Sequence, residues 1–315
     1  MARNYKKSFL KKYLGIEKIT DTFTYNTGQD HYISRKKQLI QNKQTFLVVN
    51  TRNKKTIFHN TNEYIYYLGK EKLKNQQLGL RMQLKKVARK CIKDNFIVVP
   101  KTTSKEINYY QISGKILNLK SGECIPVLNC YDINKAYYQA AFNLKYISEE
   151  FYQKCIELPK EERLTLIGSL GSQKQWHYFK EGHEEKNWIT HDNELRLAWF
   201  HICKEVDKTM YNLIQKLGSD FLFYWVDSMY FTDDRHNSMI IDYFKKQGFD
   251  VKNETVKNLQ REQVFLKSQN KFRESDSVTL EKFNVALQKW EKKEFTIFRK
   301  NQNARISDIC EDYAL

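Results

Sequence analysis

Residues 223 to 231 read FYWVDSMYF, an aromatic and aliphatic run with a single carboxylate, Asp227, in its middle. The run has the composition of a buried strand. A carboxylate in such a setting is costly unless a partner or a metal compensates it. Alternation along one continuous strand would place Phe223, Trp225 and Asp227 on one face and Tyr224, Val226 and Ser228 on the other. A chain that keeps Asp227 there must bring its compensation from elsewhere in the sequence.

The upstream candidate is CYDINKAYYQAAF, residues 130 to 142, where Asp132 also follows an apolar stretch, IPVLNCY. Two carboxylates, each at a strand edge, can share divalent cations and so relieve one another's charge. Two magnesium or manganese ions held in this way would suit phosphoryl transfer.

Bulk properties agree with an anionic partner. Lys and Arg outnumber Asp and Glu by 54 to 37 in 315 residues, a formal charge of +17, which favours a polyanionic partner, with solubility alone accounting for some of the excess. The cysteines at 91, 124, 130, 155, 203 and 310 form no C-x-x-C pair, the pattern of reduced thiols in an intracellular protein. His177, His183, His191 and His201 are too irregularly spaced for a zinc module. The start, MARNYKKSFLKKYLG, has no apolar core of signal-peptide length, and no later run approaches the roughly 20 apolar residues of a membrane span. These features predict a soluble, cytoplasmic protein with no membrane partner.

Short β-branched runs at 45 to 49 and 96 to 99 predict buried strands. Between them, residues 71 to 95 place Leu80, Leu84, Val87 or Ala88, and Cys91 at helical spacing, with Lys85, Lys86 and Arg89 among the cations of the outer face. That face is either simply solvated or a contact for DNA phosphates, which would weaken with salt. A second helix after Thr190 carries Leu195, Trp199, Ile202, Val206, Met210, Leu213 and Leu217, and Gly218 stops it. Asp233 and Asp234 read as the turn after the Asp227 strand.

The two aspartate segments carry a resemblance. DINKAYY resembles the first palm motif of family B DNA polymerases, D-x-x-S-L-Y-P, particularly in the protein-primed viral branch. Asp132, Asn134 and Tyr137 match it, whereas Lys135, Ala136 and Tyr138 depart from it. DSMYF is similar to the end of that family's Y-x-D-T-D-S-I-Y-F strand, with Asp227 at the second, metal-binding aspartate and Trp225 where the first would stand. ERLTLIGSLGSQK loosely resembles the fingers motif K-x-x-x-N-S-x-Y-G, with Arg163 at the lysine and Gly171 at the glycine. NKF, with Lys271, is the nearest counterpart of the later K-x-Y element.

The resemblance implies an α+β polymerase palm, its antiparallel sheet backed by helices, with minimal fingers and a vestigial thumb. Its parts would be an N-terminal basic region over 1–114, a palm over 115–275 with reduced fingers at about 143–175, and a helical thumb-like tail over 276–315, its helix at 277–297. The N-terminal region has the layout of a worn-down exonuclease, but NTR at 50–52 stands where proofreading would need D-x-E, so no proofreading is expected.

By the same resemblance Asp132 and Asp227 hold the two ions, together with the backbone at Ile133. Arg163 binds the triphosphate of an incoming dNTP, with Lys160 one helical turn earlier on the same face. Gly171 and the backbone around Ile133, Asn134 and Lys135 complete the nucleotide site. Tyr137 either excludes a 2′-hydroxyl or simply packs in the core, and Lys271 touches the primer end. A viral origin would place the protein in a host cytoplasm, beside a replication or priming protein. Two rival readings remain: an inactive palm-fold protein that binds DNA or a replication partner, and a reverse transcriptase-like polymerase.

Overall fold

The computed structural model describes residues 2–298 apart from 26–28, 52–53, 69–74, 121 and 269–270. The described residues form an α+β protein with nine α-helices. These are α1 (Ala2–Phe9), α2 (Gln29–Gln41), α3 (Asn75–Asp94), α4 (Gly114–Leu117), α5 (Ala136–Asn143), α6 (Glu149–Ile156), α7 (Lys160–Gly168), α8 (Asn193–Leu217) and α9 (Asn237–Lys246). The strands are β1 (Asp21–Tyr25), β2 (Phe46–Thr51), β3 (Lys54–His59), β4 (Asn62–Tyr67), β5 (Tyr110–Ile112), β6 (Cys124–Ile133), β7 (Gln173–Lys180), β8 (His183–His191), β9 (Phe221–Trp225), β10 (Ser228–Phe231), β11 (Val251–Ser268), β12 (Lys271–Asn284) and β13 (Lys289–Phe298). They make two sheets, ordered β1-β4-β3-β2-β7-β8 and β13-β12-β11-β6-β10-β9-β5. Among the described residues only the β1–β4 pairing is parallel.

Each sheet belongs to its own compact unit. Residues up to Lys86, with Gly168–Arg196, form the first; Val87–Ile167, with the residues from Leu197 onward, form the second. The division differs from the boundaries at 114 and 275 read from the sequence, because 168–196 supplies β7 and β8 to the N-terminal sheet. The reason lies in β2. Phe46 and Val48 enter one apolar cluster with Tyr32 and Leu39, while Leu47 and Val49 enter another with Leu10, Phe58 and Trp176. A strand buried on both faces needs a hydrogen-bonding neighbour along each edge. Here β3 supplies one edge and β7 the other.

In the second unit α8 backs the sheet. Ile202, Met210 and Leu213 on its apolar stripe are fully buried, as their three-to-four spacing predicts. Gly218 then takes a φ of +53° where the helix gives way to β9. Asp207 of α8 accepts from the Tyr224 hydroxyl at 2.6 Å and from the Asn108 amide at 3.1 Å, tying helix to strand. Alternation sends Phe223 and Trp225 to the opposite face, where Phe223 stacks on its cross-strand neighbour Tyr230 at 4.1 Å.

That face curls upon itself. β13 and β9 lie near opposite edges of the sheet, yet Phe295 of β13 meets Phe223, Trp225 and Tyr230 at 5.4, 5.3 and 6.0 Å between ring centroids.

Two expected elements are corrected. Residues 96 to 99 are not a strand: Phe96 has a φ of +51°, Phe96 and Val98 are each 91% exposed, and Pro100 cannot donate to a ladder. The expected thumb helix over 277–297 is instead the β12–β13 hairpin. Ser277, Val278, Thr279 and Leu280 are all buried in succession, which suits a strand inside a curl better than a one-faced helix. Asn284 closes the following turn by accepting from the Leu287 amide. Because Phe295 joins both edges of the curl, Phe295→Ala is expected to destabilise the protein by about 3 kcal/mol, read as a lower urea midpoint. A midpoint within error of wild type would contradict the closure.

Candidate active site

The run FYWVDSMYF is a hairpin, not the single strand expected from its composition. β9 ends at Trp225 and β10 begins at Ser228, with Trp225 and Ser228 paired across a two-residue loop of Val226 and Asp227. Val226 has a φ of +57°, a position where tight hairpin loops favour glycine and a β-branched residue is strained. The Val226 amide donates to the Tyr109 carbonyl, helping to hold this conformation. Strain of this kind persists only where its surroundings over-determine it. Its effect is to turn Asp227 out of the strand alternation and toward the end of β6.

β6 runs antiparallel beside β10, with Asp132 opposite Ser228. The Ser228 hydroxyl donates to Asp132 Oδ1 at 2.6 Å, and the Ile133 amide donates to the Asp227 carbonyl at 2.8 Å. The two acids, distant in sequence, thus stand together on neighbouring elements of one sheet. Asp227 is only partly exposed. Burial of its carboxyl group, then the charge of Asp132, pushes its pKa up to about 7, while Lys160 and Lys252 pull the other way. Such a pair is an anionic site whose cost the nearby lysines offset only in part. Hard oxygen donors of this kind suit Mg²⁺ or Mn²⁺.

Three flanking groups lay outside the sequence reading. Lys252 of β11, in register with Asp132, places its ammonium 3.1 Å from Asp132 Oδ2 and 2.6 Å from Glu254. Glu254 also pairs with Lys282 of β12 at 2.5 Å. Burial opposes the charge on Lys252, but its bonds to Glu254 and Asp132 outweigh that and raise its pKa. Burial likewise opposes ionisation of Glu254, and the two lysines overcome it. The signal for these residues was VKNETV, whose strand alternation puts Lys252 and Glu254 on one face. Below them the Cys130 thiol is held protonated, first by burial and then by the charge of Asp132, so it is no nucleophile.

The other expected site residues are more dispersed. Lys160, exposed at the start of α7, is near enough for its charge to be felt at Asp227. The charge of Arg163, one turn on, reaches Tyr138 and Tyr152, and its buried Nε has no hydrogen-bond partner among the described residues. Gly171 ends a short 3-10 turn in the first unit, whereas Lys160 and Arg163 belong to the second. The amide of Ile133 donates to the Asp227 carbonyl, and that of Asn134 to the Asp250 carbonyl at 2.8 Å. Lys135 caps α5 with a φ of +56°. Tyr137 is buried, its ring 5.2 Å from that of Trp199.

Lys271 begins β12 opposite Ser268, at the closed end of a long hairpin. That end is well over ten residues along β11 from Lys252, or roughly 50 Å of extended strand. Lys271 thus starts its strand at the far end of the hairpin from Lys252, whose ammonium meets Asp132. On α3, Lys85 donates to the Ser172 hydroxyl, and Lys86 and Arg89 are exposed.

Elsewhere, Asn50 of the NTR stretch holds the ring of His177, which also pairs with Glu184. His201 meets the Tyr146 hydroxyl. Asp220, Asp233 and His236 lie close enough to share an ion, but Asp220 pairs with His236, and Asp233 with Arg235 at the expected turn. Among the described residues no helix is long and apolar enough to cross a membrane. Neither a scan against protein-family models nor a search of curated proteins finds a match to this chain.

The raised Asp227 pKa makes stability depend on pH. The unfolded chain releases this proton near pH 4 and the folded chain only near 7. Stability is therefore lost as pH rises through that window, and the full cost is present above pH 7. With chelator present, Asp227→Asn is expected to melt roughly 5 °C above wild type at pH 8, with the gap closing by pH 4.5. Equal melting temperatures at both pH values would refute the shift.

Proposed function

We propose that the chain is a small nucleotidyltransferase that extends DNA in a divalent-cation-dependent reaction, on a palm-like sheet of the kind found in family B DNA polymerases. The observation that carries this reading is the meeting of Asp132, at the end of β6, with Asp227, in the hairpin loop that leads into the paired strand β10, on an antiparallel sheet backed by a helix. Without a cation that pair is energetically unfavourable; with one it becomes a centre for phosphoryl chemistry. A divalent ion bound there supplies positive charge that activates an attacking hydroxyl and offsets charge on a leaving oxygen.

The protein's own groups have distinct tasks in this reading. Asp132 is oriented by Ser228 and Lys252, which fix both of its oxygens. Asp227 is aimed by the strained Val226 loop. Lys160 presents a cation near the pair, suited to the charge of a dNTP triphosphate. The half-buried Arg163, one turn further along α7, adds a second cation to that helix. Lys86 and Arg89 of α3, with Lys85, would contact DNA phosphates without reading sequence.

The test is to incubate the full chain with labelled dNTPs, Mg²⁺ or Mn²⁺, and a panel of primed DNA, primed RNA, unprimed and template-free substrates. Wild type is expected to extend at least one DNA substrate. Asp132→Asn and Asp227→Asn are each expected to cut the rate by about three orders of magnitude, a loss of about 4 kcal/mol of barrier lowering, with DNA affinity in EDTA nearly unchanged. Undiminished extension by either variant defeats the reading. A wild type that binds DNA but extends nothing marks an inert binding protein, and extension confined to RNA templates marks a reverse transcriptase.

A further inference from the structure

Both oxygens of Asp132 are already engaged, Oδ1 by the Ser228 hydroxyl at 2.6 Å and Oδ2 by the Lys252 ammonium at 3.1 Å. Lys252 is set by strand register, lying directly opposite Asp132 on β11. Glu254 is held by Lys252 on one side and Lys282 on the other, so it is neutralised rather than offered as another ligand. Trp225, at the last position of β9 before the hairpin loop, is stacked on Tyr110 at 5.1 Å and packed against Phe295. These rings add no carboxylate to the site.

The charges then decide how much metal this centre can hold. Asp132, Asp227 and Glu254 against Lys252 and Lys282 leave one net negative charge. One divalent ion turns that into one positive charge and two ions into three, with Lys160 adding to the excess. Two ions side by side would sit about 4 Å apart, and one would lie against an ammonium already seated on Asp132. In a partly dehydrated site that repulsion is several times its value in water.

We propose that Lys252 is a built-in counter-ion that limits the nucleotide-free centre to one divalent cation, held mainly by Asp227, with its ammonium standing beside Asp132 in place of a second ion. The inference rests on the reading of the two aspartates as a metal centre and names what regulates its occupancy. Lys252 is here a positioning residue: it touches an aspartate and sets what else that aspartate can hold.

The experiment counts Mn²⁺ bound to the full chain without nucleotide, by the electron paramagnetic resonance signal of the free ion. Each count is taken relative to the same protein carrying Asp132→Asn and Asp227→Asn, which subtracts ions held elsewhere, such as at Asp220, Asp233 and His236. Wild type and Lys252→Arg are expected to bind one ion. Lys252→Met and Lys252→Gln are expected to bind two, with circular dichroism establishing that each variant is folded. Two ions in wild type overturn the proposal even if no neutral variant folds, and so does a single ion in both neutral variants. Primer extension by the same wild-type preparation separates this result from the wider reading. One ion rising to two without any extension supports Lys252 and defeats the nucleotidyltransferase, whereas extension with an unchanged ion count does the reverse.

Discussion

The antiparallel pairing of β6 with β10 is the constraint on which the rest depends. It sets Asp132 opposite Ser228 and brings the Ile133 amide to the Asp227 carbonyl, so two like charges are held together by backbone bonds that neither side chain can escape. Everything nearby answers that repulsion. Ser228 and Lys252 each engage one oxygen of Asp132, Lys160 bears on Asp227, and Asp227 gives up ionisation until about pH 7. Retained cost of this kind is common where charge will be needed by a ligand.

The sheet around the centre has two unlike faces. One is joined to α8 through Tyr224 and Asp207. The other carries Phe223, Tyr230, Trp225 and Phe295 as an aromatic wall around the polar groups. Such a wall lowers the local dielectric, which strengthens the attraction of Lys252 for Asp132 as much as the repulsion between the aspartates. The lysine and the second acid are thus two halves of one electrostatic balance.

Much of this was readable before any coordinates. The stripe from Leu195 to Leu217 specified α8, the run at 45–49 specified a buried strand, and apolar flanks marked Asp132 and Asp227 as costly. The hairpin at Val226 was hidden because valine has no preference for positive φ; only tertiary bonds, such as that to the Tyr109 carbonyl, impose it. The β12–β13 hairpin was hidden because Leu280, Phe283 and Leu287 also fit a helical spacing, and only burial at consecutive positions settles the period. Lys252 escaped notice because its importance comes from register with Asp132, a pairing that no local pattern encodes. The transfer of β7 and β8 to the first sheet is likewise a matter of which strand lacks a neighbour, not of propensity.

The aromatic seal made by Phe295 has a kinetic meaning. It joins a strand late in the chain to residues of β9 and β10 much earlier, and contacts of large sequence separation must be reached through an entropically costly loop. Phe295 lies 65 to 72 positions from Tyr230, Trp225 and Phe223, whereas 95 separate Asp132 from Asp227. Loop closure alone therefore gives the acids no head start over the wall. Once both contacts are made, the pair bears its repulsion in partly dehydrated surroundings, where each nearby ammonium counts for more than it would in water.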